Sequence, residues 1–431
     1  MTIQSFKSLP DKLEALIISS LLLYYLGVDV APDIVKLMNV ASYAMLAPLI
    51  IWRGKRLLYV ATRNIPMLLL IGMAIASVFW SASVDYTSNE IKAFLRATLL
   101  GVYLATRYSF KEQVRLLAWV FGIAIVLSLF FTLAVPSYGT HVEGGAAKGI
   151  FTFKNLLATI MTLGGMLFIL IALDSKKHRW LPWTVFIIAV AALVLSQGKT
   201  AYSVFLLVLC LLPIRNVVKQ QYKLRVVLFI VILLIGGSAI VLFFGNLEFI
   251  LVDTLGKNME FNGRLPIWTL MMEKGLERPW FGYGFVGFWT SDESLYVINN
   301  SWAGTGETAG VRFNAHSGYI DLFLQLGFLG MVLFIVDFFA VLARGVSLLF
   351  LTPIQETFWI LPTLVALLFF NFADTLSIVT PNSLWSIYVS IGLSTIVQHN
   401  RIKRDLHLST TSSLQPSQAS VSYPIVTPKT D

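Results

Sequence analysis

Charge is what this chain has least of. Asp, Glu, Lys and Arg make up 13% of its 431 residues, against roughly 25% in a soluble domain, and the mean hydropathy is +0.76. So little polar surface cannot cover a water-soluble globule of this size. Cysteine is nearly absent. The single Cys210, inside the apolar run Val204–Leu212, allows no internal disulfide and no thiolate cluster for a metal, and leaves the redox compartment unreadable. The segments expected outside the membrane hold no Asp-x-Asp pair and no group of histidines and carboxylates to seat Mg²⁺ or Mn²⁺. Asp292-Glu293 comes nearest, and reads as a solvated turn. A net charge of +9 would suggest an acidic partner for a soluble protein. Membrane proteins instead concentrate Lys and Arg in cytoplasmic loops, so nucleic acid is not expected as a partner.

What the chain does have is long apolar runs. They fall at approximately 13–29, 34–52, 65–81, 91–106, 113–135, 155–173, 180–196, 200–214, 225–245, 317–342, 356–377 and 380–397, each near the ~20 residues a helical span needs. Only helices or closed barrels satisfy backbone groups in lipid, and these runs lack barrel alternation. The expected fold is all-α and polytopic, with about 12 transmembrane helices. The first run follows two lysines but no small-x-small cleavage site, and reads as an uncleaved first helix.

The connecting segments alternate in charge. One set is basic: Arg53 to Arg63; Arg107, Lys111 and Arg115; Lys176 to Arg179; Arg215 to Arg225; Arg344; and Arg401 to Arg404. The other set, around Asp29–Asp33, Ser81–Glu90 and Asp374–Asn382, has no Lys or Arg. The positive-inside rule then puts both termini in the cytoplasm. Residues 1–397 form the expected membrane domain. Residues 398–431 end in a Ser/Thr/Pro-rich stretch and read as a disordered cytoplasmic tail. Two outer segments exceed what a connection needs: Pro136–Asn155, and the large loop 246–316, which must hold short helices of its own. Function is expected there.

Several cations break the outward depletion of charge. Lys257 and Lys274 read as solvated, whereas Lys154 and Lys199 each abut a helix end, in GIFTFKNLLA and LSQGKTAYS. A cation so placed either snorkels to the interface or lines an outward-facing cavity. In FNGRLPIWTLMMEKGLERPWFGYGFVGFW, Asn262 suits an N-cap and Pro266 the first turn, with Leu265, Trp268, Met272 and Leu276 on one face. Arg264 then stands at the N-terminus of an amphipathic helix lying along the membrane. Backbone N–H groups, the positive dipole end and a guanidinium converge there as an anion site. His316 immediately precedes a membrane helix and can accept a proton near neutral pH.

Four blocks, in order, resemble the O-antigen ligase and polymerase superfamily of bacterial cell-surface polysaccharide assembly. They are FWSASVDYTSNEIKAFLRATLLGVYLATRYS, GIFTFKN, LSQGKTA, and NGRLPIW…PWFGYGF followed by AHSGYIDLFLQLGFLG, spanning roughly residues 75–340. The resemblance implies a metal-independent, GT-C-like glycosyltransferase without a cofactor. Its donor would be an undecaprenyl-diphosphate-linked glycan, and its acceptor a second glycan or a lipid A core. It implies membrane lipid, and possible polysaccharide assembly proteins, as partners. On this reading Arg264 and His316 are catalytic, Arg264, Lys199, Lys154 and Arg312 hold the diphosphate, and Asn155 and Trp268 contact substrate. Lys199 replaces the arginine of many ligases in a Ser-x-x-Lys-Thr-Ala setting closer to exopolysaccharide polymerases. Phe153 stands where histidine is usual, and Ser317 where asparagine is common.

Polymerisation is therefore expected ahead of ligation to lipid A core. A small-anion transporter of bicarbonate type is the rival from another class, but its paired interrupted helices and midplane charges are not evident. A structural assembly partner without activity is a third option.

Overall fold

The computed structural model describes residues 8–29, 32–141, 144–218, 220, 264–302, 313–375 and 378–413. The described residues are overwhelmingly helical, with two isolated bridges, Val28 to Phe151 and Thr140 to Ala147. The principal helices are α1 (Leu9–Tyr25), α2 (Pro32–Ala61), α3 (Ile65–Ala76), α4 (Val84–Arg107), α5 (Phe110–Ala134), α6 (Lys154–Asp174), α7 (Trp180–Leu195), α8 (Lys199–Cys210), α9 (Arg264–Glu277), α10 (Gly318–Leu351), α11 (Ile360–Ala373) and α12 (Ser383–Ser413). All the expected spans except 225–245 coincide with one of these helices; 225–245 lies outside the described residues. Six described helices are long and apolar enough to cross a membrane by length and composition, and Ile65–Phe79 and Trp180–Leu195 are shorter apolar helices. The protein is a membrane-embedded, multi-spanning helical bundle.

Local chemistry sets the helix ends. Ser8 caps α1, accepting from Asp11 N while the Asp11 carboxylate accepts from Ser8 N and Oγ. Ser109 and Glu112 form the same reciprocal box at α5, satisfying amides that the first turn leaves unpaired. Nothing in the sequence stops α12 at residue 397, and it runs on to Ser413 through what was expected to be tail. Residues 414–431 lie outside the described residues.

Contacts between helix ends sort the connections into two groups. At one end, Arg107 pairs with Asp11 at 2.7 Å and with Glu14 at 3.0 Å, and Arg215 pairs with Asp174. At the other end, Asp29 N donates to Ile150 O at 2.9 Å and Asn155 Nδ2 to Asp374 Oδ2 at 3.3 Å. The basic segments at residues 53, 107 and 215 thus belong to the first end. The segments lacking Lys and Arg belong to the second, which carries the site.

One expected span is broken. The run 317–342 is not a single helix, because Gly327 has φ 62° and ψ −163°. Only glycine adopts such a conformation without strain. The break frees two carbonyls and an amide N–H that would otherwise bond within the helix. Tyr283 N donates to Leu324 O at 2.7 Å, Gly284 N to Gln325 O at 2.9 Å, and Phe328 N to Pro279 O at 2.7 Å. The turn that ends α9 is thereby stitched into the interruption. A short helix, 318–326, stands apart from the rest of α10 and carries His316 at its approach.

Candidate active site

Three expected residues, far apart in the chain, meet around one that was not expected. Asp374 follows the last turn of α11, where its backbone N donates to Phe370 O at 2.9 Å and its carbonyl accepts from Gly318 N at 3.2 Å. Its carboxylate accepts from the amide of Asn155, in the first turn of α6. It also lies within electrostatic reach of Arg264, at the start of α9, and of His316. Sequence reasoning missed Asp374. The one available signal was its position in an outer segment without Lys or Arg, beside several other polar residues.

The chain around His316 is tightly specified. His316 adopts φ 47°, an uncommon region for a residue with a Cβ. His316 N donates to Asn314 Oδ1 at 2.9 Å. The imidazole stacks on Trp302 with ring centroids 6.3 Å apart and meets the edge of Phe313 at 5.5 Å. Its Nδ1 is buried with no hydrogen-bond partner among the described residues. Burial pushes the imidazole below its ordinary value, Asp374 opposes that shift, and Arg264 adds to it. The neutral, base-competent form is favoured near neutral pH. Burial likewise lowers the Arg264 guanidinium, again against Asp374.

A second unexpected carboxylate holds this conformation. Asp321, 2% exposed in the first turn of α10, accepts from Ala315 N at 3.3 and 3.2 Å and from the Trp289 indole at 2.7 Å. Thr375 Oγ1 also donates to it. One side chain therefore ties the residue before His316 to the residue after Asp374.

The remaining expected residues are placed as follows. Trp268 donates from its indole to Ala315 O at 2.8 Å, bracing the same loop from α9. Lys154 begins α6 and Lys199 begins α8. Gly198 packs so closely on Ala158, one turn beyond Lys154, that an added Cβ would lie 2.8 Å from the alanine methyl. The two helix starts are thus adjacent. Arg312 lies outside the described residues, as do Asn262 and Lys257.

Two readings from the sequence are corrected, those of Lys274 and Glu293. Lys274 is not solvated; it is buried between Glu277 at 2.6 Å and Glu293 at 2.7 Å. Glu293 accordingly is part of an ion-pair network rather than a free turn. The protein-facing stripe of α9 is Ile267, Met271, Lys274 and Gly275, while Leu265, Met272 and Leu276 are exposed. The docking is set by Gly275, whose missing Cβ leaves room for the Phe323 ring.

No group of three or more His, Cys, Asp or Glu side chains able to hold a metal ion comes together among the described residues. The geometry instead offers cations, an imidazole and a carboxylate at one end of a membrane bundle. Residues 184–335 match the O-antigen ligase family. That match supports the superfamily resemblance read from the sequence. The matched segment contains Lys199, Arg264, Trp268, Arg312 and His316, and stops short of both partners of the carboxylate–amide bond, Asn155 and Asp374. A comparison with curated proteins gave no match.

Proposed function

We propose that the protein transfers an undecaprenyl-diphosphate-linked glycan on the periplasmic face of the bacterial inner membrane, in O-antigen or exopolysaccharide assembly. The carrying observation is the convergence of Arg264, His316 and Asn155 on Asp374 at one end of the bundle. Placing that end outside follows from the positive-inside rule, with both termini cytoplasmic and 12 spans including 225–245.

In this reading the acceptor hydroxyl oxygen bonds to the anomeric carbon as the bond from that carbon to the diphosphate oxygen breaks. The hydroxyl proton passes to the His316 imidazole, and the bonding pair leaves on the diphosphate. Negative charge grows there, so a preorganised donor such as Arg264 is worth ~3–4 kcal/mol, and Lys199, Lys154 and Arg312 add to the same field. General-base help from His316 supplies roughly 10²–10⁴-fold. Asp374 holds Asn155, offsets the charge of Arg264 and stabilises the imidazolium that forms. No step needs a metal. Polymerisation stands ahead of ligation because of the Ser-x-x-Lys-Thr-Ala setting of Lys199.

The test is undecaprenyl diphosphate release and donor binding by purified protein. Wild type should release the diphosphate lipid, and His316→Ala should bind donor yet release little. Absent release in wild type overturns the transferase reading, and flux of a small anion in its place would favour a transporter.

A further inference from the structure

A cavity opens at the same end of the bundle as the Asp374 cluster. It has a volume of about 740 Å³ and lies between the outer ends of α1, α2 and α4. Thr152, two residues before Lys154, and Asn382, on the connection that begins with Asp374, both line it. The cavity therefore borders the site.

Its chemistry differs from that of the Arg264–His316 cluster. Lys92 and Arg96 are matched in number by Asp29 and Glu90, so the cavity offers no excess of positive charge for a diphosphate. It combines the rings of Tyr24 and Tyr43 with the amides of Asn39, Asn89 and Asn382. Aromatic faces suit the C–H faces of pyranose rings. Amides and carboxylates side by side suit hydroxyls, which donate and accept at once.

Arg96 shows that the polar lining is built rather than incidental. It is 9% exposed, stacked 3.8 Å from the Tyr43 ring centroid. Its Nη1 donates to Asn39 O at 3.0 Å, Asn39 Oδ1 at 2.8 Å and Ser42 Oγ at 2.7 Å. Its Nε donates to Lys92 O at 3.3 Å. Nη2 has no hydrogen bond among the described residues, so its donors remain for a ligand. A buried arginine on a membrane helix is a candidate for function. With one edge fixed and the other unused, Arg96 presents a preorganised donor pair to whatever fills the cavity.

We propose that this cavity is a saccharide subsite, holding sugar units of a glycan chain next to the reacting centre. The inference rests on the glycan-transfer reading for which chain it holds, but not for sugar binding itself. Two sources present the same chemistry, the acceptor chain and the glycan of the donor, and the experiment separates them.

Oligosaccharides released by hydrolysis from the envelope polysaccharide of the host are titrated against the full-length protein in nanodiscs. Asn89→Ala and Tyr43→Ala are the variants, since both residues are exposed and Asn89 contributes one surface hydrogen bond, from Lys92. Wild type should bind saturably, and each variant about tenfold more weakly, the equivalent of one or two lost polar or stacking contacts. Unchanged melting midpoints in both variants would show that the fold is intact. Weakened oligosaccharide binding with unchanged donor affinity assigns the subsite to the acceptor. Weakened donor affinity with unchanged oligosaccharide binding assigns it to the donor glycan. No change in either affinity overturns the proposal. A wild type that binds oligosaccharide yet releases no undecaprenyl diphosphate supports the sugar site and removes only the transferase reading.

Discussion

Asn155 donates from Nδ2 to Asp374 Oδ2 at 3.3 Å, across 219 positions of sequence. The bond links the first turn of α6, beside Lys154, to the carboxylate that also faces Arg264 and His316. It joins the proposed lysine side of the diphosphate site to its arginine side.

Breaking it should cost function more than stability. The bond is exposed, so Asn155→Ala should lower stability by no more than about 1 kcal/mol. Transfer should fall at least about tenfold, because a small displacement of a positioning group is amplified in the rate. The measurement is a melting midpoint and a turnover assay on one preparation. Wild-type turnover would leave the bond incidental to the site.

Asp321→Ala should behave the opposite way. Its carboxylate serves buried donors of Ala315, Trp289 and Thr375, and an orphaned buried donor costs about 1–3 kcal/mol. A clear drop in melting midpoint is expected, with loss of activity, because the chain before His316 is released. Asp321→Asn keeps acceptor capacity and should recover part of the stability. Equal stability of Asp321→Ala and wild type would contradict the role.

The α9 connection depends on Gly327. A Cβ there would lie 2.5 Å from the Trp280 carbonyl oxygen, on a backbone of φ +62° that side chains rarely adopt. Gly327→Ala should therefore destabilise the docking of the α9 turn, with strain of order 1–3 kcal/mol. Cysteine or protease accessibility in the 279–284 turn should rise before global unfolding.

These cases show where the sequence was legible. Apolar runs near span length leave lipid-compatible backbone few choices, so α5, α6 and α10 could be placed from hydropathy alone. Arg264 and His316 were visible because each stands at a helix boundary, where side chains meet solvent. The break at Gly327 was not, because glycine is common in membrane helices and its φ depends on the α9 turn that docks there. Trp268 could be placed on α9 but not oriented. A helical face says which residues share a side, and the close approach at Gly275 decides which side is buried. Asp374 and Asp321 were illegible for a plainer reason: a carboxylate's partners lie in other segments, and no local spacing announces them.

Chelation should have no effect on transfer. The residues brought together are cations, an imidazole, an amide and a carboxylate, and in the proposed mechanism diphosphate neutralisation falls to Arg264 and the lysines. Purified protein should turn over donor equally in excess EDTA and in Mg²⁺. Activity lost on chelation and restored by Mg²⁺ or Mn²⁺ would require a different mechanism.

The pH dependence offers the sharpest test, because two neighbours push His316 in opposite directions. Burial places its ionisation below the ordinary 6.5, Asp374 raises it, and Arg264 lowers it. A general base works when neutral, so the rate should rise with pH through an ionisation below 6.5 and level off above it. Removing the anion in Asp374→Asn should move that rise to lower pH. Removing the cation in Arg264→Ala should move it to higher pH, on a turnover already reduced by loss of the diphosphate donor. Arg264→Lys keeps the charge, so its profile should stay near wild type while its rate recovers only partly, for want of the bidentate fork. A general disturbance of the site would shift the variants together or not at all. Opposed shifts in the two variants require His316 to be the titrating group between Arg264 and Asp374, and parallel or absent shifts would remove it from that role.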